Sequence, residues 1–176
     1  MGADALMRYA RASLVCFVAL TLQASVAAQL PVAGARADLV VLVAIAAGLA
    51  AGPEAGAGVG FSAGLVLDLM ASGPVGLSSL VYTLVGYSVG LLNAGVLRSS
   101  RAIPVASAAA ASAAAMLAYA LGGEVLGQAS LQKGSLGVVM VVVAVVNAVL
   151  ILPATRLMRW ALAEHRRDYV SSRSLW

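Results

Sequence analysis

Apolar residues fill six long runs of this chain, and almost all of the charged residues stand between those runs or at the two ends. Even the valine-rich last run lacks the apolar-polar alternation of a half-buried strand, and in lipid a helix satisfies all of its own backbone groups. The pattern therefore predicts an all-α, polytopic membrane protein with about six transmembrane helices. The runs cover residues 12–30, 39–52, 55–69, 75–97, 102–121 and 137–152.

The composition supports this reading of the pattern. Hydrophobic residues make up 62% of the 176 residues and charged residues only 10%, whereas about a quarter of a soluble domain is charged. The mean hydropathy is +0.98. Since the apolar content is spread over the whole length, we expect a multi-span protein and not a soluble domain with an anchor.

The second and third runs are shorter than the roughly 20 residues of a straight span. Gly52, Pro53 and Glu54 lie between them, and proline suits a first helical turn as glutamate suits a helix N-terminus. The sequence predicts two short helices joined by a tight turn at these residues. A re-entrant hairpin and one long kinked span are the alternatives, although a single helix over residues 38–68 would be ~45 Å long against a hydrocarbon core of ~30 Å.

The first run also has features of a signal peptide. Arg8 and Arg11 precede it, and Val26, Ala27 and Ala28 resemble a cleavage site. Because the rest of the chain is also apolar enough for the membrane, we expect the run to be retained as a span.

The basic residues predict an orientation. Six spans with a cytoplasmic N-terminus leave only Arg36 and Lys133 outside and place the rest inside. Five spans with an external N-terminus separate the charges nearly as well, so the count leaves the number of spans open. No basic face runs along any predicted helix, and we expect no nucleic-acid partner. The inside set is Arg8, Arg11, Arg98, Arg101, Arg156, Arg159, Arg166, Arg167 and Arg173.

The chain divides into two parts by composition. Residues 1–155 are predicted to form a single transmembrane helical domain, and residues 156–176 a basic cytoplasmic tail. In the tail, Leu157, Trp160 and Ala161 can share one helical face, which is typical of a segment at an anionic membrane surface.

Glycines recur every four residues in the middle of the chain. In a helix this spacing places them on one face, where small residues let two backbones approach closely in lipid. We predict a helix-packing or partner interface here, within the chain or with another subunit. Its candidate residues are Gly52, Gly56, Gly60, Gly64, Gly86 and Gly90.

Three acidic residues stand at or inside the apolar runs. Asp38 and Glu54 begin predicted helices and are expected to cap them. Asp68 has only apolar neighbours and joins the candidate interface as an intramembrane acid that contacts a partner. The alternative for Asp68 is an acid at the headgroup boundary that caps the turn at residues 72–74.

Other polar residues give no sign of catalysis. Asn93, Asn147 and Gln23 lie within runs and are expected to form hydrogen bonds between helices. The single cysteine, Cys16, and the single histidine, His165, are far apart, and no phosphate-binding G-x-x-x-x-G-K motif is present. We expect no enzyme activity and no cofactor.

The order of short motifs between residues 34 and 92 resembles the family of the rod shape-determining protein MreD. The motifs are specific only in combination. They read R-x-D-L from Arg36, G-P-E-x-G from Gly52, G-F-x-x-G-L-x-x-D from Gly60, G-P-x-G-L from Gly73 and G-Y at Gly86.

The resemblance implies a small multi-pass subunit of the bacterial inner membrane that belongs to the machinery of lateral wall elongation, and six spans with the orientation given above place both termini in the cytoplasm. Such a subunit partners MreC and, through it, MreB, RodA and the elongation transpeptidase. It also implies a fold similar to the substrate-binding subunits of energy-coupling-factor vitamin transporters. A vitamin-importer subunit is the alternative function, which the low aromatic content of 5% disfavours.

Overall fold

The computed structural model describes residues 3–25, 38–70, 74–95, 102–127 and 136–162. This part of the chain forms six α-helices. The helices are α1 (Ala3–Ser25), α2 (Leu39–Ala51), α3 (Pro53–Met70), α4 (Leu77–Gly95), α5 (Ala102–Val125) and α6 (Leu136–Leu162).

Helix α2 is the centre of the bundle and contacts each of the other five helices. Every residue from Val40 to Leu49 is buried, as expected for a helix that is apolar on all sides. Its 13 residues make a helix only ~20 Å long. The most apolar run of the sequence therefore packs against protein.

Successive helices run in opposite directions. The end of α1 meets the start of α2, where the Leu39 backbone N–H donates to Gln23 Oε1 over 2.8 Å. The start of α1 meets the end of α6, where the Arg11 guanidinium lies 5.1 Å from the centre of the Trp160 ring. The first and last helices are thus neighbours.

The two ends of the bundle differ in charge. We call the end that holds Asp38 and Asp68 the aspartate end. The opposite end, which contains the turn between α2 and α3, is the arginine end. All arginines of the described residues lie at the arginine end, namely Arg8, Arg11, Arg156 and Arg159.

The outer surface of the bundle is apolar. Leu69, Val149 and Phe17 are each about two-thirds exposed, whereas a water-soluble bundle would cover such side chains. Within the described residues, two helices are long and apolar enough to cross a membrane, α5 and residues 137–162 of α6.

The break between the two short helices lies where the sequence predicted it. Helix α2 ends at Ala51 and α3 begins at Pro53. The two helices fold back on each other, so a single kinked span is not what the chain forms. Residues 26–28, which resemble a cleavage site, lie outside the described residues.

The predicted end of the last helix near Leu152 is wrong. Helix α6 continues through Pro153 to Leu162. Proline removes one backbone donor, but Met158 and Ala161 in the next turns of the helix are still buried against the bundle. The predicted boundary between domain and tail therefore falls inside a continuous helix, and residues 163–176 lie outside the described part.

Candidate functional site

Glycines form the contact between α3 and α4. A Cβ atom on Gly60 would lie 2.6 Å from the Tyr82 carbonyl carbon, and one on Gly64 would lie 2.7 Å from the Ser79 Cα. Since real side chains do not approach backbone atoms so closely, the two backbones touch only because these positions lack a side chain.

A second group of glycines brings α2 into the same contact. A Cβ on Gly56 would lie 2.6 Å from the Gly86 carbonyl carbon and 2.9 Å from the Gly48 Cα. At the arginine end, a Cβ on Gly90 would meet the backbone of Pro53. We call Gly48, Gly56, Gly60, Gly64, Gly86 and Gly90 the glycine seam. The seam lies between helices of one chain.

Gly48 belongs to this contact although it was not among the predicted residues, and Gly52 differs from the other predicted glycines. Gly48 continues the four-residue spacing towards the N-terminus, and this was the signal for it. Gly52 has a φ of 96° and ψ of −177°, and nothing lies within 4 Å of the place of its Cβ. It forms the turn between α2 and α3, and its backbone lies against α4, because a Cβ on Gly90 would be 2.7 Å from the Gly52 carbonyl carbon.

Asp38 is the N-cap residue of α2 and is 4% exposed. Its Oδ1 accepts from the backbone N–H groups of Val40 and Val41 over 3.2 and 3.1 Å. Its Oδ2 accepts from the hydroxyl of Tyr82 in α4. The carboxylate complements the positive end of α2 and also ties α2 to α4.

Asp68 holds the start of α4, although it belongs to α3. Its carboxylate accepts from the backbone N–H groups of Gly76 (2.8 Å), Ser78 (3.2 Å) and Ser79 (3.2 Å). It is 4% exposed. Of the turn at residues 72–74, only Pro74 is described. The geometry makes the carboxylate a cap for the free amides at the start of α4.

Glu54 is the second residue of α3 and is exposed. An acid in the first turn complements the positive helix end. It stands beside the turn at Gly52, on the arginine end of the bundle.

The predicted hydrogen bonds between helices are confirmed for the three amides. Asn93 Nδ2 donates to the Leu49 carbonyl over 3.1 Å, and Asn147 Nδ2 donates to Ser112 Oγ over 2.8 Å. Gln23 accepts from the start of α2, as described above. The sequence analysis missed Ser112, which is fully buried, because serine is also common on exposed helix faces.

These polar groups hold helices together. Among the described residues, no three His, Cys, Asp or Glu side chains are grouped so that they could hold a metal ion. Both buried aspartates accept from backbone amides, which positions the helices that those amides begin. The hydrogen bonds of these groups fix the positions of α2, α3 and α4 relative to one another.

Comparison with protein families supplies the remaining evidence. The family model described as rod shape-determining protein MreD matches residues 7–161, which is most of the chain. No curated protein and no solved structure matches the chain. The likeness to vitamin-transporter subunits therefore stays a prediction.

Proposed function

The chain belongs to the family of the rod shape-determining protein MreD, and from this premise we propose that it scaffolds MreC and the peptidoglycan synthases of cell elongation as a non-catalytic subunit. The family places the chain in the membrane and in the determination of rod shape. The match over residues 7–161 is the observation that carries the proposal.

The use of the polar side chains supports a scaffold. Asp38, Asp68, Asn93 and Asn147 all bond to groups of their own bundle. The exposed side chains of α3, α4 and α6 are largely apolar, as Leu84 and Val145 illustrate. Such a surface can meet lipid or the transmembrane helices of partners.

We propose MreC as the direct partner, with MreB, RodA and the elongation transpeptidase reached through it, as the family resemblance implies. We also propose a multi-pass protein of the bacterial inner membrane with both termini in the cytoplasm. The arginine end would then face the cytoplasm, in agreement with the positive-inside rule.

The domain organisation follows from the same proposal. Residues of the six helices form one transmembrane domain, and the basic tail is cytoplasmic. Since α6 is continuous to Leu162, we place the start of the tail after that residue.

Co-purification with tagged MreC tests the scaffold and the part played by Asp68. Replacing Asp68 by Ala leaves three backbone N–H groups at the start of α4 without their acceptor, and we expect several-fold less recovery of MreC. Glu54→Ala removes an exposed acid from the same helix and should leave recovery unchanged.

The outcomes distinguish the scaffold function from the role of Asp68 in assembly. If the wild-type chain fails to recover MreC, the scaffold proposal is wrong. If Asp68→Ala recovers as much MreC as the wild type, Asp68 has no part in assembly and only the scaffold stands. Binding of a vitamin by the purified chain would favour the importer function.

A further inference from the structure

A large cleft separates α1 from α3. Its volume is about 1290 Å³, and α1, α3, the end of α2 and the end of α6 line it. It exists because α1 packs chiefly on α2 and α6 and touches α3 only slightly. The cleft opens on the apolar outer surface, where Phe17 and Val66 are both exposed.

The cleft is charged at one end and mostly apolar along the rest, where Ser13 and Ser62 are the hydroxyl side chains of the lining. Arg8, Arg159 and Glu54 line it at the arginine end, whereas Leu20 and Val66 line it further along the helices. From Arg8 to Leu20, and from Glu54 to Val66, the helices rise ~18 Å. Half of a hydrocarbon core is ~15 Å, so the cleft has the length of one leaflet.

We propose that this cleft binds one anionic phospholipid of the surrounding bilayer, with its phosphate at Arg8 and Arg159 and an acyl chain between α1 and α3. Guanidinium groups bind phosphate oxygens through paired, charge-assisted hydrogen bonds. Arg8 also has an interaction within the chain, but a guanidinium has five N–H donors and can bind a phosphate beside another partner. Arg159 is exposed and supplies a second cation at the same end of the cleft, which favours an anionic headgroup.

The apolar walls favour an acyl chain over water or an empty space. An empty cleft would deprive its lining of dispersion contacts, and water would find few hydrogen-bond partners beside Leu20 and Val66. The bilayer supplies acyl chains at the open side. This site is independent of the proposed scaffold function.

Native mass spectrometry of the full chain in mild detergent tests the headgroup contacts. We expect the wild type to retain one phosphatidylglycerol molecule in preference to phosphatidylethanolamine. Arg8→Gln with Arg159→Gln should weaken binding of phosphatidylglycerol roughly tenfold or more, because charge-assisted hydrogen bonds are lost. Arg156→Gln is the matched control, since Arg156 is an exposed arginine one turn earlier in α6 and does not line the cleft.

A second variant tests the acyl-chain contacts. Gly58 lines the cleft, and nothing lies within 4 Å of the place of its Cβ. Gly58→Leu should therefore narrow the cleft beside α3 with no clash at its Cβ, leave the thermal midpoint unlowered and weaken retention of phosphatidylglycerol.

Cys16 provides a direct probe, because it lines the cleft and is the only cysteine of the chain. Added phosphatidylglycerol should slow its alkylation more in the wild type than in Gly58→Leu. The proposal is overturned if either the arginine pair or Gly58→Leu binds phosphatidylglycerol as the wild type does. Equal binding of the two lipids, or crosslinking of Cys16 to a polypeptide that fills the cleft in membranes, overturns it as well.

Discussion

Tyr82 shows how one side chain can join two helices in an apolar core. The residue is 3% exposed, and its hydroxyl donates to Asp38 Oδ2. A buried tyrosine hydroxyl usually requires such a partner. Because the acceptor is the cap of the central helix, the hydrogen bond positions both α2 and α4.

Tyr82→Phe keeps the ring and removes the hydroxyl. We expect a loss of about 1–2 kcal/mol in the free energy of unfolding, the range for a hydrogen bond between helices or to a charged group. Denaturant titration of the purified protein in detergent measures it. Tyr87→Phe, at a more exposed tyrosine of α4, should change little, and equal losses in the two variants would contradict the role of Tyr82.

For single residues, the sequence predicts those roles that depend on nearby positions in the chain. Asp38 could be placed at a helix start because a long apolar run follows it. Its bond with Tyr82 could not be predicted, since the two residues are 44 positions apart and meet only through the packing of α2 on α4. For Asp68 the sequence left open a partner contact and a cap on the following turn, and the structure has it as a cap for the amides at the start of α4.

The glycine seam is a property of two elements and not of one residue. In Gly60→Ala the new methyl group would meet the backbone of Tyr82 and Thr83, so α3 and α4 must move apart. We expect a loss of about 1–3 kcal/mol, typical of overpacking. Thermal unfolding in detergent is the measurement.

Gly58→Ala is the control for the seam. It lies two residues earlier in α3, faces open space and exchanges glycine for a better helix former. We expect this variant to be as stable as the wild type or slightly more stable. A seam variant that is as stable as this control would show that α3 and α4 do not need their close contact.

The turn between α2 and α3 depends on a backbone conformation open to glycine alone. Gly52 has a φ of 96° and ψ of −177°, a region that other residues avoid. Gly52→Ala should lower the free energy of unfolding by about 1–3 kcal/mol through strain, with no clash. Circular dichroism melts can measure it, with Gly137→Ala as a control at an open helical position. A Gly52→Ala melt that matches the control would contradict the strain.

The elements themselves were largely predictable, and their ends were less so. The break at Gly52 could be predicted because glycine, proline and glutamate follow one another in the sequence. The continuation of α6 beyond Pro153 could not, because it depends on burial of Met158 and Ala161 against other helices. Proline inside the pattern indicated a stop that tertiary packing overrides.

The arginines of the described residues lie at one end of the bundle, and this asymmetry predicts the orientation of the protein in a membrane. In a Cys16→Ala background, Glu54→Cys places a thiol at the exposed arginine end, and Val75→Cys places one at the exposed aspartate end. We expect an impermeant maleimide to label Val75→Cys in intact cells and Glu54→Cys only after lysis. The cysteine-free parent should remain unlabelled, and the reverse pattern would invert the proposed topology.

The central position of α2 is a property of the whole bundle and could not be predicted from the sequence. Its composition does not distinguish lipid from protein surroundings, because a helix that is apolar on all sides suits a membrane and a protein core equally. Only the arrangement of the other five helices decides between them. The glycines that let α3 and α4 approach α2 are the feature of the sequence that reflects this arrangement.

The contact between α1 and α6 has a consequence for biosynthesis. The ribosome delivers α1 before α6, so the Trp160 that lies against Arg11 emerges only after α2 to α5 have been made. Until then the nascent protein exposes unfinished surfaces of α1 and α2 to the insertion machinery. A stop codon before α6 would therefore leave both of these helices open to quality-control proteases.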